Sequence, residues 1–405
     1  MKTRPEPGRR TLVPEGAVRH SRSRHVSKWV AVVSDPVRMR GVSVGEPQDL
    51  AGLIEARMRI DRVPGLSVAV ARQDRVVYSR GFGLADLGSG LAATARTAYL
   101  WFSMTKVVTA TAIMQLADQH RLDLDGPVDE LFAPFAVVRQ PRPITVRQLL
   151  SHSSGLANPI PIRWVTPATA SVPNSRDFVT HQLKTHARLR FPPGQRSAYS
   201  NLGYLVLGDV IAQVTGLSYE NYVRTHILTP LNMTHTGFTY DEVGDRTPAV
   251  GYQPLPRGLR PLLRAYLPPG IVGDRHGRLV GYRPFYVTGR AYGGLIGDVE
   301  DAIRLARLHL GEGALDGVWI LSPESAAAMR RTTSRGGDRD FGLGWFRPHP
   351  GPQGPTEFVE HLGGGSGFWN VVRIYSQADL AIALMGNITG YDHNSIIDAI
   401  TATSW

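Results

Sequence analysis

The sequence predicts an α+β fold, an α/β sandwich in which an antiparallel sheet built from N- and C-terminal segments is flanked by helices and carries an inserted, mostly helical domain. Three observations predict it. Short strand-like runs cluster near both ends of the chain, and helix-like runs with apolar residues three and four apart fill the middle. Successive strands are joined by short turns, which favours antiparallel pairing within one sheet. The expected organisation is a basic, disordered tail over 1–45, a sheet domain from 46–110 and 291–405, and the helical insertion over 111–290.

Each element follows from local pattern. Residues 49–62 place Leu50, Leu53, Ile54, Met58 and Ile60 at helical spacing. Residues 66–71 and 75–79 are β-branched and apolar, joined by the polar turn Arg72-Gln73-Asp74, which reads as a hairpin. Gly81, Gly83, Gly88 and Gly90 then mark a loop. A helix is expected over 103–120, with Val107, Ile113, Met114 and Leu116 apolar, and it breaks at the acidic turn 123–127. Thr145-Val-Arg-Gln148 is a capping box opening a helix through Leu150. Residues 156–196 are proline-rich, with no regular structure assigned. Helices follow over 202–214, ending at Gly216, and over 219–228, stopped by Pro230. Residues 241–290 read as loop, and 299–310 as helix. The period then changes, with strands over 341–346, 356–361, 370–375 and 380–385, and a last helix over 396–402.

The 405 residues are 42% apolar and 8% aromatic, as in folded globular proteins. No apolar run approaches the ~18 residues of a membrane-spanning helix. The nearest, Trp29-Val-Ala-Val-Val33, is cut by Ser34-Asp35-Pro36 and is too short for the core of a signal peptide. No transmembrane segment is therefore expected, and the cytoplasm is favoured. With no cysteine, disulfides, thiolate nucleophiles and Cys-based zinc sites are excluded. The net charge is +11, of which residues 1–45 supply +7. The remainder is nearly balanced, so no nucleic-acid partner is expected for the globular part.

Three motifs carry chemistry. In Ser103-Met-Thr-Lys106 the two polar residues lie one helical turn apart, with Cβ atoms ~5–6 Å apart, so the amine can reach the hydroxyl. The chain has four lysines, and this is the one with Ser three residues before it. A Ser-capped helix with a surface lysine is the bland alternative. Tyr199-Ser200-Asn201 lies in a loop leading into a helix, where a phenol and an amide can project into a cleft. Tyr219-Glu220-Asn221 repeats the pattern inside a helix, where packing explains it. His361-Leu-Gly-Gly-Gly-Ser-Gly367 ends a strand with glycines that let backbone approach a ligand closely, or form a flexible hairpin.

Together these motifs resemble those of the serine β-lactamase and penicillin-binding-protein-like hydrolases, in particular the class C branch with its esterase and D-peptidase relatives. Pro64-Gly-Leu-Ser-Val-Ala69, Leu149-Leu-Ser-His-Ser-Ser-Gly-Leu156, Pro230-Leu-Asn-Met233, Gly293-Gly-Leu295, Phe341-Gly-Leu-Gly-Trp345 and Met385-Gly-Asn387 are similar to further landmarks, from about residue 48 to 400. The resemblance implies Ser103 as acylated nucleophile and Lys106 and Tyr199 as its proton carriers, with the choice of base open. It implies that Asn201 orients the lysine and a substrate carbonyl. Backbone N–H groups of Ser103 and Gly364 would hold the oxyanion, and His361 and Gly363 would flank the substrate.

One departure stands out. His361-Leu362-Gly363 replaces Lys-Thr-Gly, putting an imidazole that titrates near pH ~6.5 where a permanent cation is usual. The expected activity is ester or amide cleavage through a Ser103 acyl-enzyme, esterase-like. The alternatives are a D-amino-acid peptidase, a β-lactamase or a non-hydrolytic binding module. The expected partner is a small-molecule ester, amide or peptide, with oligomeric state open. No cofactor is expected, and no metal, because the histidines lack ligand spacing.

Gly41-Val-Ser-Val-Gly45 matches a hydrolase elbow pattern but lacks the flanking strand and helix such an elbow needs. His152 is expected to hold the turn at 153–155. Trp101, Phe102, Trp164, Tyr292, Phe368 and Trp369 are candidates for an acyl pocket or for core packing.

Overall fold

A computed structural model describes residues 47–139, 142–349 and 357–405. The basic tail and the Gly41–Gly45 pattern lie outside the described residues. One antiparallel sheet of nine strands draws on both ends of the chain. Its N-terminal strands are β1 (Gly65–Arg72), β2 (Arg75–Asp86) and β3 (Leu91–Ala92). Its C-terminal strands are β4 (Ser334–Arg335), β5 (Arg339–Phe341), β6 (Phe346–Pro348), β7 (Val359–Gly365), β8 (Phe368–Tyr375) and β9 (Leu380–Gly386). The order is β4-β5-β6-β7-β8-β9-β1-β2-β3, so β1 and β9 join the two halves, with Val68 opposite Leu384.

Both faces are covered, which is why β1, apart from Ser67 and its terminal Arg72, and β9 carry apolar residues on both sides instead of alternating. Leu66, Val68, Val70, Ile382 and Leu384 pack against Leu50, Ile54 and Met58 of helix α1 (Pro47–Asp61), together with Ile396, Ile397 and Ile400 of the C-terminal helix His393–Thr401. The intervening residues Ala69, Ala71, Ala381, Ala383 and Met385 belong to the larger core. That core includes helix α2 (Thr105–Asp118), helix α3 (Asn201–Thr215) and helix α4 (Val299–Leu310). The small alanines let helices approach the sheet closely on this side, where the motifs gather.

Several helix ends follow from local chemistry. Thr145 and Gln148 form the expected capping box, with both reciprocal bonds present. Ser200 caps α3 by accepting from Gly203 N–H, and Gly216 closes it in the left-handed conformation.

Some expectations fail. β2 runs through Gly81 and Gly83, because its far end pairs with β3. The strand expected over 341–346 is two strands, β5 and β6, since Gly344 adopts φ +89° and turns the chain. The glycine run after His361 belongs to β7 as far as Gly365. Residues 156–196 hold a helix, Ser175–Thr185, capped by Asn174, which accepts from Asp177 N–H. Residues 241–290 contain a small sheet of Tyr252–Pro254, Leu279–Tyr282 and Val272–His276.

Candidate active site

Ser103 does not open α2 itself. It occupies a 3-10 turn, Phe102–Met104, immediately before it. Phe102 sits in the left-handed region at φ +46°, a conformation that costs a bulky residue about 1–3 kcal/mol and persists only where its surroundings hold it. They do so here. Trp101 N–H donates to Leu295 O at 2.8 Å, Leu295 N–H donates to Thr105 Oγ1, and Asn370 Nδ2 donates to Leu100 O. β7 lies flush along the turn. A Cβ on Gly363 would stand 2.0 Å from Trp101 O, so that position admits no side chain. Gly364 follows on the same strand, opposite Trp369.

Three of the sequence candidates meet. Lys106 Nζ lies 2.9 Å from Ser103 Oγ, and the Tyr199 phenol is near enough to Ser103 for the serine hydroxyl to pull its pKa down. Lys106 is fully buried, and its Nζ also donates to Tyr292 O at 2.7 Å. Around it stand three aromatic faces, Tyr199 at 4.9 Å, Tyr292 at 5.2 Å and Tyr204 at 5.5 Å from ring centroid. These faces favour an ammonium, but burial opposes it more strongly and pushes the Lys106 pKa well below the usual lysine range. Burial pushes the Tyr199 phenol up, against the pull of the Ser103 hydroxyl and of the Arg339 charge.

The resemblance assigned the orientation of Lys106 to Asn201, and the structure differs. Lys106 bonds instead to Ser103 Oγ and Tyr292 O. Asn201 begins α3, its N–H held by Asn158 Oδ1, while its own Oδ1 is buried without a partner among the described residues.

His361 also differs from expectation. It is buried on β7, with Nδ1 bonded to Leu362 O at 2.8 Å, which requires the proton on Nδ1. Nε2 is thus a bare lone pair without a partner among the described residues. Burial, with the Lys106 charge next, pushes its pKa down to about 3 instead of leaving it near 6.5. The imidazole is neutral at physiological pH.

His152 does more than hold the 153–155 turn. Its Nδ1 accepts from Ser200 N–H at 3.1 Å, its carbonyl accepts from Ala198 N–H, and its ring stacks under Tyr199 at 4.5 Å. It is the platform on which the phenol rests. Trp164 packs edge-on to Tyr292 at 5.5 Å, supporting the segment that holds Lys106. Trp101 and Phe368 are buried, and Phe368 packs against Tyr99 and Phe102. Among the described residues, no group of three or more His, Cys, Asp or Glu is placed to hold a metal, and no single helix is long and apolar enough to cross a membrane.

Comparison with known proteins gives consistent kinship. Residues 50–403 match the Beta-lactamase family. Protein flp of Staphylococcus aureus (strain NCTC 8325 / PS 47) is 32% identical over 208 residues, covering 51% of this chain and 41% of flp. The chain therefore spans well under half the length of these relatives. Penicillin-binding protein 4 of Amycolatopsis lactamdurans is 29% identical over 337 residues, covering 80% of this chain and 81% of that protein. The solved octameric penicillin-binding protein homologue from Pyrococcus abyssi superimposes with a TM-score of 0.71 at 25% identity, covering 87% of this chain and 76% of that one.

Proposed function

Because this chain belongs to the Beta-lactamase family, we propose that it is a serine hydrolase that cleaves esters through an acyl-enzyme on Ser103. The observation that carries this reading is Lys106 Nζ at 2.9 Å from Ser103 Oγ, with the Tyr199 ring 4.9 Å from the same amine. A hydroxyl bonded to a buried amine, with a phenol beside them, is what proton-assisted acylation requires.

The pKa directions favour Lys106 as the base. Its amine is driven towards the neutral form while Tyr199 is driven to keep its proton. Ser103 Oγ attacks the carbonyl carbon as its proton passes to Lys106 Nζ, and the carbonyl oxygen becomes an oxyanion stabilised by backbone N–H groups of Ser103 and Gly364. Tyr199 delivers its proton to the leaving oxygen as that C–O bond breaks, and recovers one from Lys106. Water then attacks the acyl carbon by the reverse route and releases the acid. Asn201 offers its amide to the substrate carbonyl side of the cleft. The neutral His361 favours esters over β-lactams, since it supplies no cation at the third motif.

A p-nitrophenyl ester and a chromogenic cephalosporin, assayed side by side with Ser103→Ala as control, test the proposal. Ester turnover that the variant abolishes is expected. Faster cephalosporin turnover would overturn the ester preference, and equal turnover by the variant would remove Ser103 from the mechanism.

A further inference from the structure

Residues 256–269 form a short helix that is apolar on two sides. Gly258 turns the chain at φ +93°, Pro261 lies in the first turn of the helix Arg260–Tyr266, and Pro268-Pro269 follow its end. Leu263 and the buried Leu267 point inward and pack on the main core. Leu259, Leu262 and Tyr266, spaced three and four apart, share the outward side, where Leu262 is 54% and Tyr266 57% exposed. A helix that is apolar all round is normally enclosed, and this one leaves its outer half in solvent. Basic residues border it. Arg257 and Arg264 are exposed and without an ion-pair partner among the described residues, and Arg260 donates to Gly273 O at 2.6 Å and lies 4.0 Å from Asp274. The chain has no acidic residue between Arg246 and Asp274.

The helix is tied to the candidate active site. Just beyond it, Gly270 comes up to Pro167, the end of the strand Val165–Pro167, which pairs with Phe285–Val287. The arch before that strand starts at Asn158, which holds the Asn201 N–H, and ends at Trp164, which packs on Tyr292. Ile160 and Ile162 on this arch are exposed as well. Exposed apolar side chains thus flank the segment that runs out from the Ser103 site.

We propose that the outward face of this helix docks on an anionic lipid surface, with Leu262 and Tyr266 entering the headgroup boundary and Arg257 and Arg264 meeting lipid phosphates. The inference goes beyond the Ser103 reading and does not depend on it. An interfacial helix needs an apolar face that sinks ~5–10 Å and basic residues at its margin. A tyrosine suits that depth, because its ring can lie in the apolar layer with its hydroxyl among headgroups. Arginine stems can lie along the same boundary while the guanidinium stays wet. A second copy of this chain suits the face less well. A two-fold contact sets a patch against itself, so it would bring these arginines onto a like-charged patch with no acid in the segment to neutralise them. The arch carrying Ile160 and Ile162 is equally free of acids, since none occurs between Glu130 and Asp177.

The chain has no cysteine, so Leu262→Cys and Tyr266→Cys can each carry a single environment-sensitive fluorophore on the full chain. Vesicles of phosphatidylglycerol and phosphatidylcholine in equal parts should shift the emission of both labels to the blue. Phosphatidylcholine vesicles should shift it far less. The same label at Trp319→Cys, a 63% exposed position on a separate hairpin, should stay unshifted. Each label reads its own surroundings, so attraction of the basic segment 1–45 to lipid cannot imitate the result. Adding Arg257→Gln and Arg264→Gln should raise the lipid concentration at half-shift by about fivefold per arginine, roughly 25-fold together. Labels at 262 and 266 that both stay unshifted with anionic vesicles overturn the inference. So do an equal shift with phosphatidylcholine alone, an equal shift at 319, or a midpoint that the arginine changes leave in place. A shift on concentrating the protein without lipid also overturns it and assigns the face to a second copy of the chain. None of these outcomes bears on the Ser103 mechanism.

Discussion

Lys106 Nζ donates to the main-chain carbonyl of Tyr292 at 2.7 Å, so a segment 186 residues away fixes the amine beside Ser103. No carboxylate perturbs it, since burial is the one cause acting on its pKa. A buried, unpaired amine is costly to charge and therefore suited to accept a proton.

Lys106→Met removes that amine while keeping the volume. Ester turnover should fall by roughly 10²–10⁴-fold, the usual contribution of a general base. Thermal stability should hold or rise, because an apolar side chain no longer has to be shielded from charging. Parallel activity and melting measurements check the opposed signs, and a loss of both would indicate a structural role alone.

His361 is held neutral, with its folded pKa about 3. The unfolded imidazole, near pH ~6.5, binds a proton that the folded one refuses, so its contribution to stability is lost as pH falls from about 6.5 towards 3. His361→Gln should flatten the pH dependence of unfolding in that window by about 1.4 kcal/mol per pH unit, one proton's worth. Denaturant titrations of both proteins at pH 6.5, 5.5 and 4.5 give the comparison, read against the principle of one linked proton. Parallel slopes would show that the imidazole titrates normally.

His152 supports Tyr199 from below and takes the Ser200 N–H. His152→Ala should reduce kcat by about tenfold to a hundredfold through a misplaced phenol, the scale of a misplacement of about 1 Å. His152→Asn should recover part of the loss, because it can still accept from Ser200. Steady-state kinetics with a p-nitrophenyl ester distinguish the two, and equal activity in both variants would deny the platform role.

Gly363→Ala puts a Cβ against the Trp101 carbonyl, which stands 2.0 Å from where it would be. The nucleophile turn must shift, and the variant should lose about 1–3 kcal/mol of stability along with most of its activity. An unaltered melting temperature and rate would show that β7 does not press on the turn as described.

Much of this arrangement is legible before any coordinates, for reasons tied to particular residues. Ser103 and Lys106 show themselves because helical spacing converts a three-residue gap into a contact. The central strands show themselves because Val68, Val70, Ile382 and Leu384 must be apolar to be covered on both faces. What stays hidden depends on contacts without a local signature. The Tyr292 acceptor is a backbone carbonyl, which any residue could supply. Gly363 and Gly364 read as a strand end, although their lack of side chains is what lets β7 continue along the turn. The His361 pKa is set by tertiary burial, so its reference value misleads. Arg339, in a short strand beside Asp338, looks like any surface ion pair, although it lies over Phe346, whose ring packs against His361.

The most direct measurement is rapid-quench mass spectrometry of the full chain mixed with a p-nitrophenyl ester, followed by peptide mapping. The account predicts a transient mass increase of one acyl group, confined to the peptide holding Ser103 and absent in Ser103→Ala. Turnover without any acylated peptide, or an acyl group on another residue, would contradict it.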